Sequence, residues 1–69
     1  MPLSFAAVGE RCCIRKISGR EDSRRHLESL GFTPGESVLI VSRMGGNIIL
    51  SVRGSRVAVS AEMAAKIII

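Results

Sequence analysis

His26, the adjacent cysteines Cys12 and Cys13, and the basic run Arg20, Arg24 and Arg25 are the residues whose types and spacing could do chemistry. Nucleophilic catalysis needs a base held beside the nucleophile. The single histidine lies among Arg, Glu and Ser on what reads as a short exposed helix, so no catalytic residue is assigned and no enzyme is expected. His26 becomes a pH-sensitive group if it packs beside Arg24 or Arg25; otherwise it is a plain surface residue. Cysteine and histidine are also the soft and borderline metal ligands available. Neighbours on a strand point to opposite faces, which argues against a disulfide or a shared ion between Cys12 and Cys13. No C-x-x-C pair supports a structural zinc site. Cys13 and His26 stay as candidate metal ligands, within one chain or shared between two. The Arg20, Arg24 and Arg25 cluster near a helix start at Asp22 would receive an anion on guanidinium forks and backbone N–H groups, or else form a solvated face.

These side chains must be positioned by a small fold. The 69 residues are near the lower limit for one hydrophobic core, so the expectation is one domain, residues 1–69. The chain is 46% hydrophobic with two aromatics, so Ile, Val and Leu must fill that core, a β-leaning composition. Ten Lys and Arg, eight of them Arg, against six Asp and Glu give a net charge of +4, which admits an acidic partner or simply aids solubility. No run approaches the roughly 20 apolar residues of a membrane-spanning helix, and the N-terminal sequence lacks a signal-peptide pattern. A cytoplasmic location with free thiols is expected.

Along the chain, Leu3 and Val8 read as anchors of a lead-in that turns at Gly9. A strand is predicted over Arg11 to Ile17, with Cys12 and Ile14 on one face and Ile17 out of step, as at a bulge or a strand end. Asp22 or an earlier residue caps a short helix carrying Leu27 and Leu30, and Gly31 ends it with Phe32 folding back. Thr33-Pro34-Gly35 reads as a tight turn. Glu36 to Arg43 and Ile48 to Arg53 form an antiparallel hairpin across Met44-Gly45-Gly46-Asn47, with Ile48, Leu50 and Val52 facing inward. A turn at Gly54-Ser55 leads into the strand Arg56 to Val59. Ser60 caps a helical turn from Ala61 to Lys66, and Ile67 to Ile69 closes a sheet. The expected fold is mainly β: a small barrel of about five to six short antiparallel strands with one or two short helices.

Leu3-Ser4, Val8-Gly9-Glu10, Ile14, Ile17, Leu27 and the run Leu30-Gly31-Phe32-Thr33-Pro34-Gly35, followed by Val52-Arg53-Gly54, Val57-Ala58-Val59, Glu62-Met63-Ala64 and Ile67, resemble the FeoA family over nearly the whole chain. The hairpin tip is shorter than in many relatives. The resemblance implies an SH3-like barrel and a cytosolic accessory role in bacterial ferrous iron uptake. The implied partner is the cytosolic domain of a FeoB-like GTPase transporter, and ferrous iron or another divalent transition metal is the implied ion. Partner-binding candidates are Arg20, Arg24, Arg25 and His26 on the helix and Arg43, Met44 and Asn47 on the hairpin, where exposed charge and a Gly-rich tip remain after the core is assigned. Strand addition at a sheet edge is an alternative docking mode, and the sequence also allows a homodimer. Two other readings stay open. One is a regulatory module like the small barrel attached to iron-dependent repressors; the other is a weak binder of nucleic acid or anions. Nucleic acid is not expected, because Phe5 and Phe32 both read as buried and so offer no stacking platform.

Overall fold

The computed structural model describes all residues, Met1–Ile69. After a 3-10 turn at Leu3–Phe5 come β1 (Arg11–Cys13), β2 (Lys16–Ile17), α1 (Glu21–Ser29), β3 (Ser37–Met44), β4 (Asn47–Val52), β5 (Ser55–Ser60), α2 (Ala61–Ala64) and β6 (Ile67–Ile68). A four-stranded antiparallel sheet runs in the order β1-β3-β4-β5, and β2 pairs with β6 in a second sheet of two strands. The expected single strand from Arg11 to Ile17 is therefore broken at Ile14-Arg15, and its two halves pair in different sheets. Ile17 is out of step because β2 pairs with Ile67 in the second sheet, while Cys12 pairs with Val38 in the first.

The longest strand, β3, carries a register shift between Ile40 and Ser42, a bulge of the kind that bends a strand and raises its twist. Two tight turns then reverse the chain. Met44 faces Asn47 across Gly45-Gly46, and Gly45 has the positive φ (58°) required at the first central position of a type II′ hairpin. Val52 faces Ser55 across Arg53-Gly54, where both central residues are left-handed (φ 52° and 81°), the type I′ pattern.

One cluster of fourteen buried residues fills the space between the sheets. Alternation supplies it: Val38 and Ile40 from β3, Ile48, Leu50 and Val52 from β4, Cys12 from β1 and Val59 from β5 all point inward. Leu27 from α1, Phe32, Leu3, Ala64 and Ile67 close the open end. The lead-in departs from expectation. Leu3 is fully buried, but Val8 is 56% exposed, because the chain there turns outward at Gly9 (φ 87°) instead of packing down. Phe5 is also exposed, at 73%, since it lies on the outer side of the 3-10 turn whose inner side is taken by Leu3. Phe32 is buried as expected.

Helix α1 begins without a side-chain cap. Of the expected cap, Asp22 or an earlier residue, the cap position falls on the earlier Arg20, and Asp22 lies inside the first turn, where its charge interacts favourably with the helix dipole. The end is better defined. Phe32 N–H donates to the Leu27 carbonyl (3.1 Å), Gly31 N–H donates to that of Glu28 (3.0 Å), and Gly31 takes φ 103°, the bond pattern of a Schellman ending. Thr33 to Glu36 follow as a turn with Pro34 and then Gly35 at φ 90°, closed by Glu36 N–H on the Thr33 carbonyl (3.0 Å). At α2 the Ser60 hydroxyl accepts from Met63 N–H (3.1 Å), as expected of a cap.

Candidate partner-binding surface

The four helix candidates, Arg20, Arg24, Arg25 and His26, are all exposed. Their presentation follows from one buried residue, Leu27, with half-buried Ser23 and Leu30 four before and three after it, which turns the remaining helix surface outward. Lys66 ties the helix to the barrel: its Nζ donates to Ser23 Oγ (3.2 Å), and its carbonyl accepts from Ser18 N–H and Oγ. Arg25 pairs with Glu21 one turn earlier (2.8 Å), an exposed pair worth about 0.3–0.5 kcal/mol. Arg24 points instead into a cleft of about 200 Å³ lined by Lys16, Ile17, Glu28 and Pro34. Beside it, Arg15, Lys16 and Ile68 line a second hollow.

At the hairpin, Met44 is 67% exposed and Asn47 stands at the tip. Arg43 is committed to the fold itself, because its Nη2 donates to the Ser4 carbonyl (2.8 Å) and to the Ala6 carbonyl. That clamp holds the 3-10 turn against β3 and brings exposed Phe5 to the same end of the molecule as Met44. The hairpin tip and α1 are not joined by any hydrogen bond or ion pair. The C-terminal end of α1 lies instead by the other turn of β4, where a Cβ built on Gly31 would stand 3.2 Å from Arg53 Cδ.

The two metal candidates are not gathered into a site. Cys13 is exposed on β1, His26 is exposed on α1, and no three His, Cys, Asp or Glu residues in the chain come together as a ligand group. Cys12 is buried, and its thiol is pushed above the ordinary cysteine value, first by burial and then by the neighbouring Glu10 carboxylate. Such a thiol is protonated and inert, not an activated nucleophile. No helix is long and apolar enough to cross a membrane.

Sequence reasoning missed Arg15, Lys16 and the exposed Phe5. The signal for the first two was present, since the Arg15-Lys16 pair stands where the strand pattern slips. Nothing local marked Phe5, because its exposure depends on which side of the turn the core lies.

Six short antiparallel strands curled around one core, with two short helices closing the ends, make this an SH3-like barrel protein. The FeoA domain model matches residues 1–69. An Fe(2+) transport protein A of Methanocaldococcus jannaschii is 31% identical over 68 residues, covering 99% of this chain and 83% of that protein. The chain belongs to the FeoA family, accessory proteins of ferrous iron transport. Among solved structures, an iron uptake regulatory protein, FeoA, superposes with a TM-score of 0.88 at 35% identity over 96% of this chain and 88% of the other. The zinc complex of FeoA from Stenotrophomonas maltophilia, an SH3 domain protein, gives 0.86 at 23% identity over 99% and 87%, a likeness of fold alone. A manganese-dependent transcriptional repressor contains the same barrel within a longer chain, with a TM-score of 0.88 at 18% identity over 97% of this chain and 39% of that one.

Proposed function

We propose that this chain is a cytosolic accessory module that docks on the cytosolic domain of a FeoB-like GTPase transporter and supports ferrous iron uptake by contact. The observation that carries this reading is the family match over the whole length of the chain. The surface supports it as well: five cationic side chains, Arg15, Lys16, Arg20, Arg24 and Arg56, have no hydrogen-bond or ion-pair partner within the chain. The other five are engaged, with Arg11 on Ser37, Arg25 on Glu21, Arg43 on Ser4 and Ala6, Arg53 on Glu36 and Lys66 on Ser23. Free guanidinium and ammonium groups on a basic domain favour encounter with an acidic partner. Iron enters this reading as the transporter's cargo. The dispersed placement of Cys13 and His26 favours contact over metal capture by a single chain.

Calorimetric titration of the chain into the purified cytosolic domain of its cognate transporter, with and without guanine nucleotide and ferrous ion, tests the proposal. Saturable binding is expected, weakened when Arg24 is reversed in charge. Absence of heat under every condition would move the assignment to a regulatory module, the reading that the barrel shared with the manganese-dependent repressors supports at the level of fold.

A further inference from the structure

Three of the five unpartnered cations line two hollows that share Lys16. Arg15 and Lys16 are consecutive where β2 begins, and Arg24 comes from α1; Lys16 lines both hollows, which together make up a two-part trough with Lys16 between its parts. Its apolar surface is Ile17, Pro34 and Ile68, and its only acid is Glu28. The lining of the two parts therefore comprises three cations, one carboxylate and the apolar side chains Ile17 and Pro34 on one side of Lys16 and Ile68 on the other. All three cations are exposed and without partners in the chain, so they carry no evident structural duty.

We infer that this trough docks an acidic segment of a protein partner. Asp or Glu carboxylates of the segment would meet Arg15, Lys16 and Arg24, with one apolar side chain resting on Ile17 and Pro34 and another on Ile68. Two features favour a peptide over a nucleic acid. The trough contains no aromatic ring on which a base could stack, since Phe32 is buried and Phe5 lies beside Arg43 at the hairpin end. Glu28 in the wall repels a continuous run of phosphates, whereas a peptide places its charges discretely and can meet Glu28 with a neutral or basic residue. The inference deepens the proposed function by naming the chemistry the barrel reads, and it rests on that reading only for the identity of the partner.

The test uses isotope-labelled full chain and a synthetic peptide of about ten residues containing Glu and Asp interrupted by two Leu, followed by amide chemical shifts. Shifts are expected to concentrate at residues 15–18, at Arg24 and Glu28, and at Ile68. The double variant Lys16→Glu/Arg24→Glu is expected to weaken the peptide about tenfold, roughly the effect of losing two exposed charge pairs. Arg56→Glu reverses a charge away from the trough and should change the affinity less than about twofold. An unchanged thermal melt would show that the double variant is folded. Weakening by Arg56→Glu of about threefold, half of the double variant's effect in free energy for half of its change in charge, would reduce the effect to diffuse net charge and overturn the inference. Displacement of the peptide by oligothymidylate or inorganic phosphate at comparable concentration would overturn it in favour of a general anion site. The same double variant in the transporter titration separates the two readings. Wild-type binding that survives the double variant retires the trough and leaves the accessory role; peptide binding without transporter binding does the reverse.

Discussion

Arg43 projects from β3 and donates to two backbone carbonyls, those of Ser4 and Ala6, that no backbone donor in the chain reaches. A hydrogen bond from a charged donor contributes more than a neutral one, but this side chain is exposed, and solvent offsets part of the gain. Arg43→Ala is expected to lower stability by about 1 kcal/mol, read as a shift in the urea midpoint. An unchanged midpoint would mean that the clamp is open in solution and that Arg43 is available to a partner after all. The cysteines differ for a similar reason of placement. Burial and Glu10 both disfavour the Cys12 thiolate, so its folded value lies above its unfolded one. Below about pH 8.5 both states keep the proton and the thiol adds no pH dependence. Above that, the unfolded chain releases the proton and the folded chain retains it, so stability falls as pH rises. Cys12→Ala should flatten the loss of stability between pH 8 and 10 relative to wild type; identical slopes would contradict the burial argument.

At the scale of elements, the turns carry the clearest local constraints. The β4-β5 turn places Arg53 at φ 52°, a conformation that costs a residue with a Cβ about 1–2 kcal/mol and that Asn adopts more readily. Its compensation is small: a 3.9 Å approach to Glu36 and the packing of its stem over Gly31. Arg53→Asn, which creates the favoured Asn-Gly hairpin turn, is expected to raise stability by about 0.5 kcal/mol, or roughly 3 °C in a domain of this size. A lower melting temperature would show that the stem over Gly31 contributes more than the turn strain costs. The end of α1, the Pro34-Gly35 turn and the Ser60 cap were all legible in the sequence, because each depends on residue types within a few positions of one another. The break in the predicted strand was not, since only pairing with β6, some fifty residues further on, shows where β1 ends and β2 begins.

For the molecule as a whole, a core of fourteen buried residues leaves little reserve. Domains of about this length bury only about 60% of their unfolded surface, and large-to-small changes in a packed core cost several kcal/mol. Phe32, wholly buried at the junction of α1 and the barrel, is the largest of these side chains. Phe32→Ala is expected to cost about 3–5 kcal/mol and to leave the domain largely unfolded at 37 °C, seen as loss of the cooperative thermal transition. Survival of a sharp transition would show that the barrel collapses around the vacancy.

The amino-acid sequence by itself determined the strands and turns of the β3-β4-β5 meander, the Gly31 ending of α1 and the Ser60 cap of α2. These follow from alternation, from glycine and proline chemistry and from a capping serine, which are local properties of the chain. Tertiary structure decided which cations are free and which are spent. Arg24, Arg25 and Arg43 look alike in sequence, yet the fold pairs Arg25 with Glu21, commits Arg43 to carbonyls, and leaves Arg24 unpaired in a hollow it shares with Lys16. It also decided that Phe5 faces outward and Phe32 inward, because burial depends on where distant segments converge and not on the hydrophobicity of the residue alone.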